Sequence, residues 1–121
     1  MTETYFDTSI VIDTLSGHHL AMAELRRTAR PWISRITWLE VMAAVPGPAR
    51  DETEAFLANF AIREVTPEIA RRAANMRIDR PSLGLPAALV FASAQDHGAI
   101  LVTRNTKDFP ANIPGIRVPY T

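Results

Sequence analysis

A short apolar run near the N-terminus ends in a carboxylate, and this feature constrains the fold more than any other in the chain. Tyr5 and Phe6 are followed at once by Asp7, and the pattern of a short helix begins at Thr8. An acidic side chain between a buried strand and a helix lies where open parallel α/β sheets have their ligand crevice. The alternative is that Asp7 or Thr8 only caps the helix. The feature predicts an α/β fold, and Asp7 is either the centre of a site or a helix cap.

Strand and helix patterns alternate along the rest of the chain. Strands are predicted at Glu3–Phe6, Trp32–Ser34, Ala61–Val65, Ala99–Thr103 and Ile116–Val118. Helices are predicted at Thr8–Leu15, from His18 or His19 to Ala29, and at Thr37–Val45, Arg50–Phe60, Thr66–Ile78 and Pro86–Asp96. The first helix is expected to turn Ile10, Val11 and Leu15 inward. The alternation predicts a parallel sheet covered on both faces, and 121 residues suffice for one domain spanning 1–121.

The composition excludes some classes of site. Thirteen basic residues balance thirteen acidic ones, so contacts to phosphate must come from local clusters rather than from a global basic field. The absence of cysteine excludes disulfides and thiolate metal sites. No uninterrupted apolar stretch reaches about 18 residues, and no basic segment precedes an apolar leader. We therefore expect no membrane association and a cytoplasmic protein.

Glu40 is the second informative residue because it is the only charge in an apolar helix. Its neighbours include Trp38, Leu39, Val41 and Met42. Burying an unpaired carboxylate is costly, so such a group normally has a metal, an arginine or a shifted pKa. Glu40 is therefore predicted to serve either a functional site or a buried pair with arginine.

Asp108 follows the apolar strand that ends near Thr103, in a loop where polar side chains can reach a shared crevice. Turn chemistry is the alternative, since Asn105 and Asp108 both favour turns. Together with Asp7 and Glu40, this residue makes a set of oxygen ligands that Mg²⁺ and Mn²⁺ prefer. Such ions activate water and stabilise charge on phosphate during in-line displacement. The three carboxylates thus predict metal-dependent phosphate chemistry.

Four motifs together resemble the PIN-domain family, and most of all the toxin half of bacterial VapBC-type toxin–antitoxin pairs. They are Tyr5-Phe6-Asp7-Thr8-Ser9 with Ile10-Val11-Ile12-Asp13 behind it, Ser34-Arg35-Ile36-Thr37-Trp38-Leu39-Glu40, Gly84-Leu85-Pro86, and His97-Gly98-Ala99-Ile100-Leu101-Val102-Thr103-Arg104-Asn105-Thr106-Lys107-Asp108-Phe109. The resemblance spans almost the whole chain, and the last motif is the most specific.

The resemblance implies a three-layer α/β/α sandwich with a central parallel sheet, a homodimer, and an Mg²⁺- or Mn²⁺-dependent endoribonuclease that acts on RNA. The catalytic and metal-binding residues would be Asp7, Glu40 and Asp108. The polar neighbours of the site would be Thr8, Thr103 and Asn105. A cognate VapB-type antitoxin would lay one segment over the crevice and inhibit the enzyme.

The chain departs from the family pattern at Ala87, where the family usually has an aspartate directly after Leu-Pro. Asp96 cannot replace it, because nine residues turn a helix by about 900° and leave it on the opposite face. Either a natural member has lost this ligand, or an active toxin was disabled by substitution. The integrity of the other motifs favours the second explanation. In both cases the acidic ligand that the family has at this position, third in chain order, is missing, and Asp7, Glu40 and Asp108 remain.

The remaining candidates concern binding. Arg104 and Lys107 lie beside the predicted acids and are candidates for contact with phosphate. A metal role for His18, His19 or His97 is disfavoured by their spacing. A second hypothesis is a non-catalytic PIN-like module, whose acidic crevice receives an arginine or a helix of an antitoxin or another protein.

Overall fold

A computed structural model describes residues 2–121 of the chain. Its five strands form one sheet in the order β3-β2-β1-β4-β5, and all four neighbouring pairs are parallel. The strands are β1 (Thr4–Phe6), β2 (Pro31–Ser34), β3 (Ala61–Arg63), β4 (Ile100–Val102) and β5 (Ile116–Arg117). The predicted parallel sheet is confirmed, and each observed strand lies within two residues of its predicted bounds.

Helices cover both faces of this sheet. They are α1 (Thr8–Leu15), α2 (His19–Arg26), α3 (Arg35–Ala44), α4 (Arg50–Leu57), α5 (Pro67–Asp79) and α6 (Leu85–Asp96), with a 3₁₀ turn at Gly47–Ala49. Successive side chains of a strand point to opposite faces. Tyr5 accordingly packs into the core cluster that contains residues of α5 and α6, while Phe6 packs into the cluster of α1 to α4. The predicted three-layer α/β/α sandwich is confirmed.

Side-chain caps explain where several helices begin. The Ser34 hydroxyl accepts a hydrogen bond from the Ile36 N–H at 3.0 Å, so α3 begins at Arg35 rather than at the predicted Thr37. Thr66 caps α5 through the Ile69 N–H at 3.2 Å, as its sequence indicated. Ser34 therefore both ends β2 and caps the helix that follows.

One expectation about exposure is wrong. Leu15 was expected to face inward, but it is 39% exposed. It occupies the last turn of α1, after which the chain turns away through Gly17 at φ +83°. Leu39 in α3 is 56% exposed, so the apolar helix around Glu40 is buried on one side only.

The strand order places the site. Because all strands are parallel, their carboxyl ends lie at the same edge of the sheet. In the sheet, β2 lies beside β1 and β3 beside β2, whereas β4 and β5 lie on the other side of β1. A reversal of this kind opens a crevice beyond the carboxyl end of the strand at the switch point. Asp7 directly follows that strand.

No helix within residues 2–121 combines the length and apolar character needed to cross a membrane.

Phe109 connects the core to the loop that carries Asp108. It is fully buried and meets Phe91 edge to face, with ring centroids 5.4 Å apart. We expect Phe109→Ala to lower the free energy of unfolding by about 3–5 kcal/mol, because a large cavity is left in a packed cluster. Thermal unfolding should show a midpoint lower by about 10–20 °C. Ile78→Ala is the matched control, since Ile78 is 74% exposed and its loss should change stability by under about 0.5 kcal/mol.

Candidate active site

A pocket of about 530 Å³ opens at the carboxyl edge of the sheet. Eight of the nine residues predicted for the site line this pocket: Asp7, Thr8, Glu40, Ala87, Arg104, Asn105, Lys107 and Asp108. The ninth, Thr103, is fully buried behind the pocket wall and contacts Asp7. The structure therefore brings together residues that are up to 101 positions apart in the sequence.

Asp7 is nearly buried, at 6% exposure, and its carboxylate is held by two hydroxyl groups. Oδ2 accepts hydrogen bonds from Thr103 Oγ1 at 2.7 Å and from Ser9 Oγ at 2.9 Å. Asp7 stands at the N-cap of α1, but its side chain makes no capping hydrogen bond. The capping alternative is wrong for Asp7, and its side chain is free to serve the pocket. Sequence reasoning did not assign Ser9 to the site, although a hydroxyl two residues after the aspartate was a usable signal.

Glu40 is half-buried, and its carboxylate is held by a hydroxyl rather than by a cation. Oε1 accepts a hydrogen bond from Thr8 Oγ1 at 2.7 Å. Thr8 Oγ1 lies in turn 3.1 Å from Thr37 Oγ1, and Thr37 is fully buried. The ion pairs within residues 2–121 do not include Glu40, so the alternative of a pair with arginine is wrong there.

Asp108 lies in a loop that is braced from two sides. Its Oδ2 accepts a hydrogen bond from Asn105 Nδ2 at 2.9 Å, and its N–H donates to Asn105 Oδ1 at 3.3 Å. Arg80 Nη2 donates to the main-chain carbonyl of Asp108 at 2.7 Å. Asp108 thus stabilises the turn through its hydrogen bonds with Asn105, and it also lines the pocket. Arg80 was not assigned a role from sequence, because a contact to a distant carbonyl leaves no local signal.

Ala87 is a half-buried residue in the first turn of α6 that lines the pocket and also packs against the core. Asp96, at the other end of α6, pairs with Arg63 at 2.6 Å. Asp96 therefore does not take the place of the missing acid, as the helical geometry predicted.

The donor chemistry of the pocket fits a hard divalent ion. In each of Asp7, Glu40 and Asp108, one oxygen accepts from a neutral side chain, and no hydrogen bond within residues 2–121 uses the other oxygen. With the side chains so placed, no three His, Cys, Asp or Glu residues among residues 2–121 stand close enough to chelate an ion. Mg²⁺ usually binds one or two carboxylates and keeps several waters, so a full protein cage is not required.

The two candidate phosphate contacts differ in their surroundings. The guanidinium of Arg104 forms a two-point pair with Asp13, at 2.6 and 3.0 Å. This hydrogen bonding holds the pKa of the Asp13 carboxyl below its usual value. Lys107 is exposed at the pocket and forms no ion pair within residues 2–121. Both basic groups lie at the pocket without neutralising its acids.

The histidines lie outside the pocket. His97 Nδ1 is 2.7 Å from the Tyr5 hydroxyl, and burial raises the pKa of that tyrosine to about 12. His18 stacks on Tyr120 with ring centroids 4.5 Å apart. These contacts belong to the packing of the domain.

Thr103 is expected to support both the fold and the metal affinity of the pocket. Its hydroxyl donates to Asp7 and accepts the Asn105 N–H at 2.9 Å, so Thr103→Val removes both hydrogen bonds without changing the shape of the side chain. We expect a loss of about 1–3 kcal/mol in stability. We also expect a loss of about 10–100-fold in Mn²⁺ affinity, because Asp7, a candidate metal ligand, loses a group that orients it. Thermal unfolding and Mn²⁺ titration measure the two effects, and an unchanged Mn²⁺ affinity would contradict the second.

Comparison with known proteins identifies the family of the chain. Residues 4–112 match the PIN domain. A chain of a toxin–antitoxin complex from Klebsiella pneumoniae is 40% identical, with 98% of each chain covered and a TM-score of 0.89. No curated protein matches the chain.

Two further solved structures share the fold at lower identity. A chain of DNA-bound VapBC from Salmonella typhimurium is 24% identical over 97% of this chain and 96% of that one, with a TM-score of 0.77. A chain of FitAcB from Neisseria gonorrhoeae is 19% identical over 96% and 97%, with a TM-score of 0.80. The match of residues 4–112, together with the fold and the motifs around the acidic pocket, shows that the chain belongs to the PIN-domain family.

Proposed function

We propose that this protein is a metal-dependent endoribonuclease toxin of a type II toxin–antitoxin pair, with its activity impaired by Ala87. The observation that carries the proposal is the acidic pocket at the switch point of the sheet. Three carboxylates line it, each oriented by an uncharged donor and none paired with a cation within residues 2–121. The 40% identity to a chain of a toxin–antitoxin complex supports the toxin assignment.

Asp7, Glu40 and Asp108 would hold Mg²⁺ or Mn²⁺. When bound, such an ion activates water for attack and stabilises the charge that builds up on a phosphodiester during in-line displacement. The hydroxyls of Thr8, Thr103 and Ser9, together with the Asn105 amide, keep the carboxylates in place before any ligand arrives. In these positions no three acids among residues 2–121 stand close enough to chelate one ion, so an ion would be held by one or two of the carboxylates and by water.

Arg104 and Lys107 are proposed to contact the RNA backbone at the edge of the pocket. The chain as a whole is electrically neutral, so these local charges must offset the repulsion between RNA and the acidic pocket. An RNA substrate implies action in the cytoplasm. A cognate VapB-type antitoxin and a second copy of this chain are the proposed protein partners.

The direct test is cleavage of a panel of structured RNAs by the purified chain and by the Ala87→Asp variant, in Mg²⁺ and in Mn²⁺. We expect the variant to cleave RNA and the unsubstituted protein to cleave it slowly or not at all. Absence of cleavage by both proteins on every RNA would contradict the proposal.

A second candidate function is a binding module without catalysis, and Ala87 favours it because the acidic ligand set is incomplete. Carboxylates with unused oxygens attract a guanidinium through charge-assisted hydrogen bonds. An arginine from an antitoxin would then occupy the pocket in place of a metal ion. This function predicts that Ala87→Asp fails to cleave RNA, whereas Glu40→Gln weakens antitoxin binding in EDTA.

A further inference from the structure

Arg104 lines the acidic pocket, and its guanidinium is held by a carboxylate that a second distant residue braces. Arg104 lies in the loop after β4, and its Nε and Nη2 donate to Asp13 in α1 at 2.6 and 3.0 Å. The Tyr120 hydroxyl donates to the same carboxylate at 2.9 Å. The Asp13 side chain is only 15% exposed, which strengthens this ion pair relative to one in open solvent.

The pair with Asp13 leaves part of the guanidinium available. A guanidinium carries five N–H groups in one plane, and side-on pairing through Nε and Nη2 uses two of them. No hydrogen bond within residues 2–121 uses Nη1 of Arg104. The same side chain can therefore stay bound to Asp13 and donate to a second anion.

The main chain of Arg104 is anchored independently of its side chain. Its N–H donates to Ser9 Oγ at 3.2 Å, and Ser9 Oγ donates to Asp7 Oδ2 at 2.9 Å. Asp13 thus fixes the guanidinium, while Ser9 fixes the loop. A substitution at Asp13 should release the guanidinium and leave the Asp7 carboxylate in place.

We propose that Asp13, braced by Tyr120, is a positioning residue that holds the Arg104 guanidinium at the pocket so that it binds a phosphate of the RNA backbone. The proposal rests on the proposed function, because it takes RNA as the ligand of the pocket. Its physical basis is preorganisation. A long side chain that is fixed before binding loses less conformational entropy when the phosphate arrives.

The direction in which Asp13→Asn changes RNA affinity distinguishes this positioning role from long-range electrostatics. Asp13→Asn removes a negative charge near the pocket, so long-range electrostatics alone predicts tighter RNA binding. The positioning role predicts weaker binding, because Arg104 is released from its fixed orientation. A purely structural role for Asp13 would instead lower thermal stability and Mn²⁺ affinity together.

The experiment measures binding of a fluorescent single-stranded RNA oligonucleotide by anisotropy in EDTA, over a range of salt concentrations. Arg104→Gln is expected to weaken binding about 10-fold, the loss of one charge-assisted contact. It should also lower the slope of log K against log salt by about 0.7, the value for one phosphate contact on a single strand. Asp13→Asn is expected to weaken binding by about 3–10-fold, and Tyr120→Phe, which keeps the carboxylate, by a smaller factor.

The double variant Asp13→Asn/Arg104→Gln should bind no more weakly than Arg104→Gln alone, because Asp13 acts only through Arg104. Mn²⁺ affinities of the single variants should match that of the parent, whereas the Asp13 and Arg104 variants should lose a few degrees of thermal midpoint with the partly buried ion pair. Unchanged or tighter RNA binding by Asp13→Asn would overturn the proposal. Unchanged binding by Arg104→Gln would overturn it as well.

The result of this RNA-binding experiment does not depend on the cleavage test, because binding is measured in EDTA on proteins that keep Ala87. If Ala87→Asp cleaves RNA but the Asp13 and Tyr120 variants bind it normally, positioning fails and the nuclease function stands. If Ala87→Asp does not cleave but these variants bind weakly, the nuclease function fails and the phosphate-positioning role stands.

Discussion

Ala87→Asp is expected to raise the rate of Mn²⁺-dependent RNA cleavage by at least about 10–100-fold, the loss that follows removal of a group that merely orients a metal ligand. Residue 87 is half-buried in the first turn of α6 and faces the pocket that holds the three other carboxylates. A carboxylate there would complete the set of oxygen ligands. The effect is measured as the initial rate on a labelled RNA, for the unsubstituted protein and for the variant at equal concentration.

The first turn of α6 favours the new charge, whereas repulsion from the three pocket carboxylates opposes it when no ion is bound. This turn contains no acidic residue, and a carboxylate near a helix N-terminus interacts favourably with the helix dipole. Ala87→Asn is the matched control, because it has nearly the same size as aspartate but no charge. Equal rates for Ala87→Asp and Ala87→Asn would show that charge at residue 87 is not what the reaction lacks.

The second large effect is expected at Asp7. Introducing Asp7→Asn into the Ala87→Asp variant should lower both Mn²⁺ affinity and the cleavage rate by at least about 10–100-fold. The amide oxygen of asparagine can still accept from Thr103 and Ser9, which now donate to the carboxylate at 2.7 and 2.9 Å. The fold should therefore survive while the negative charge of the ligand is lost.

Asp79→Asn is the matched control for Asp7→Asn, since Asp79 is an exposed acid at the end of α5 and does not line the acidic pocket. Calorimetric Mn²⁺ titration and initial rates should be unchanged by it. If Asp7→Asn and Asp79→Asn had equal effects, the loss would reflect total charge rather than a ligand at the carboxyl end of β1.

The features that sequence predicted well depend on local periodicity. The short apolar run before Asp7 predicted β1, and β1 ends at Phe6 as expected. The start of α5 was predictable because Thr66 caps the helix with its own side chain and Pro67 fixes its own φ near the helical value. The gathering of the predicted acids at one pocket followed from parallel strands, whose carboxyl ends share one edge.

The features that sequence missed depend on distant contacts or on packing. Tyr120 donates to Asp13 across 107 positions, and Arg80 donates to a main-chain carbonyl 28 positions away. Neither contact leaves a pattern in the local sequence. The exposure of Leu15 was missed for a related reason, because the apolar pattern of a helix does not reveal which of its sides a neighbour covers.

The most direct test of the central claim is the metal dependence of the Ala87→Asp protein on a labelled RNA. The protein is stripped with EDTA, assayed, and assayed again after Mn²⁺ or Mg²⁺ is restored, beside Ala87→Asp/Asp7→Asn prepared in the same way. Our account predicts no cleavage in EDTA, cleavage after the ion is restored, and none above background in the double variant. Cleavage that persists in EDTA, or that is equal in the two proteins, would contradict a metal-dependent nuclease site built on Asp7.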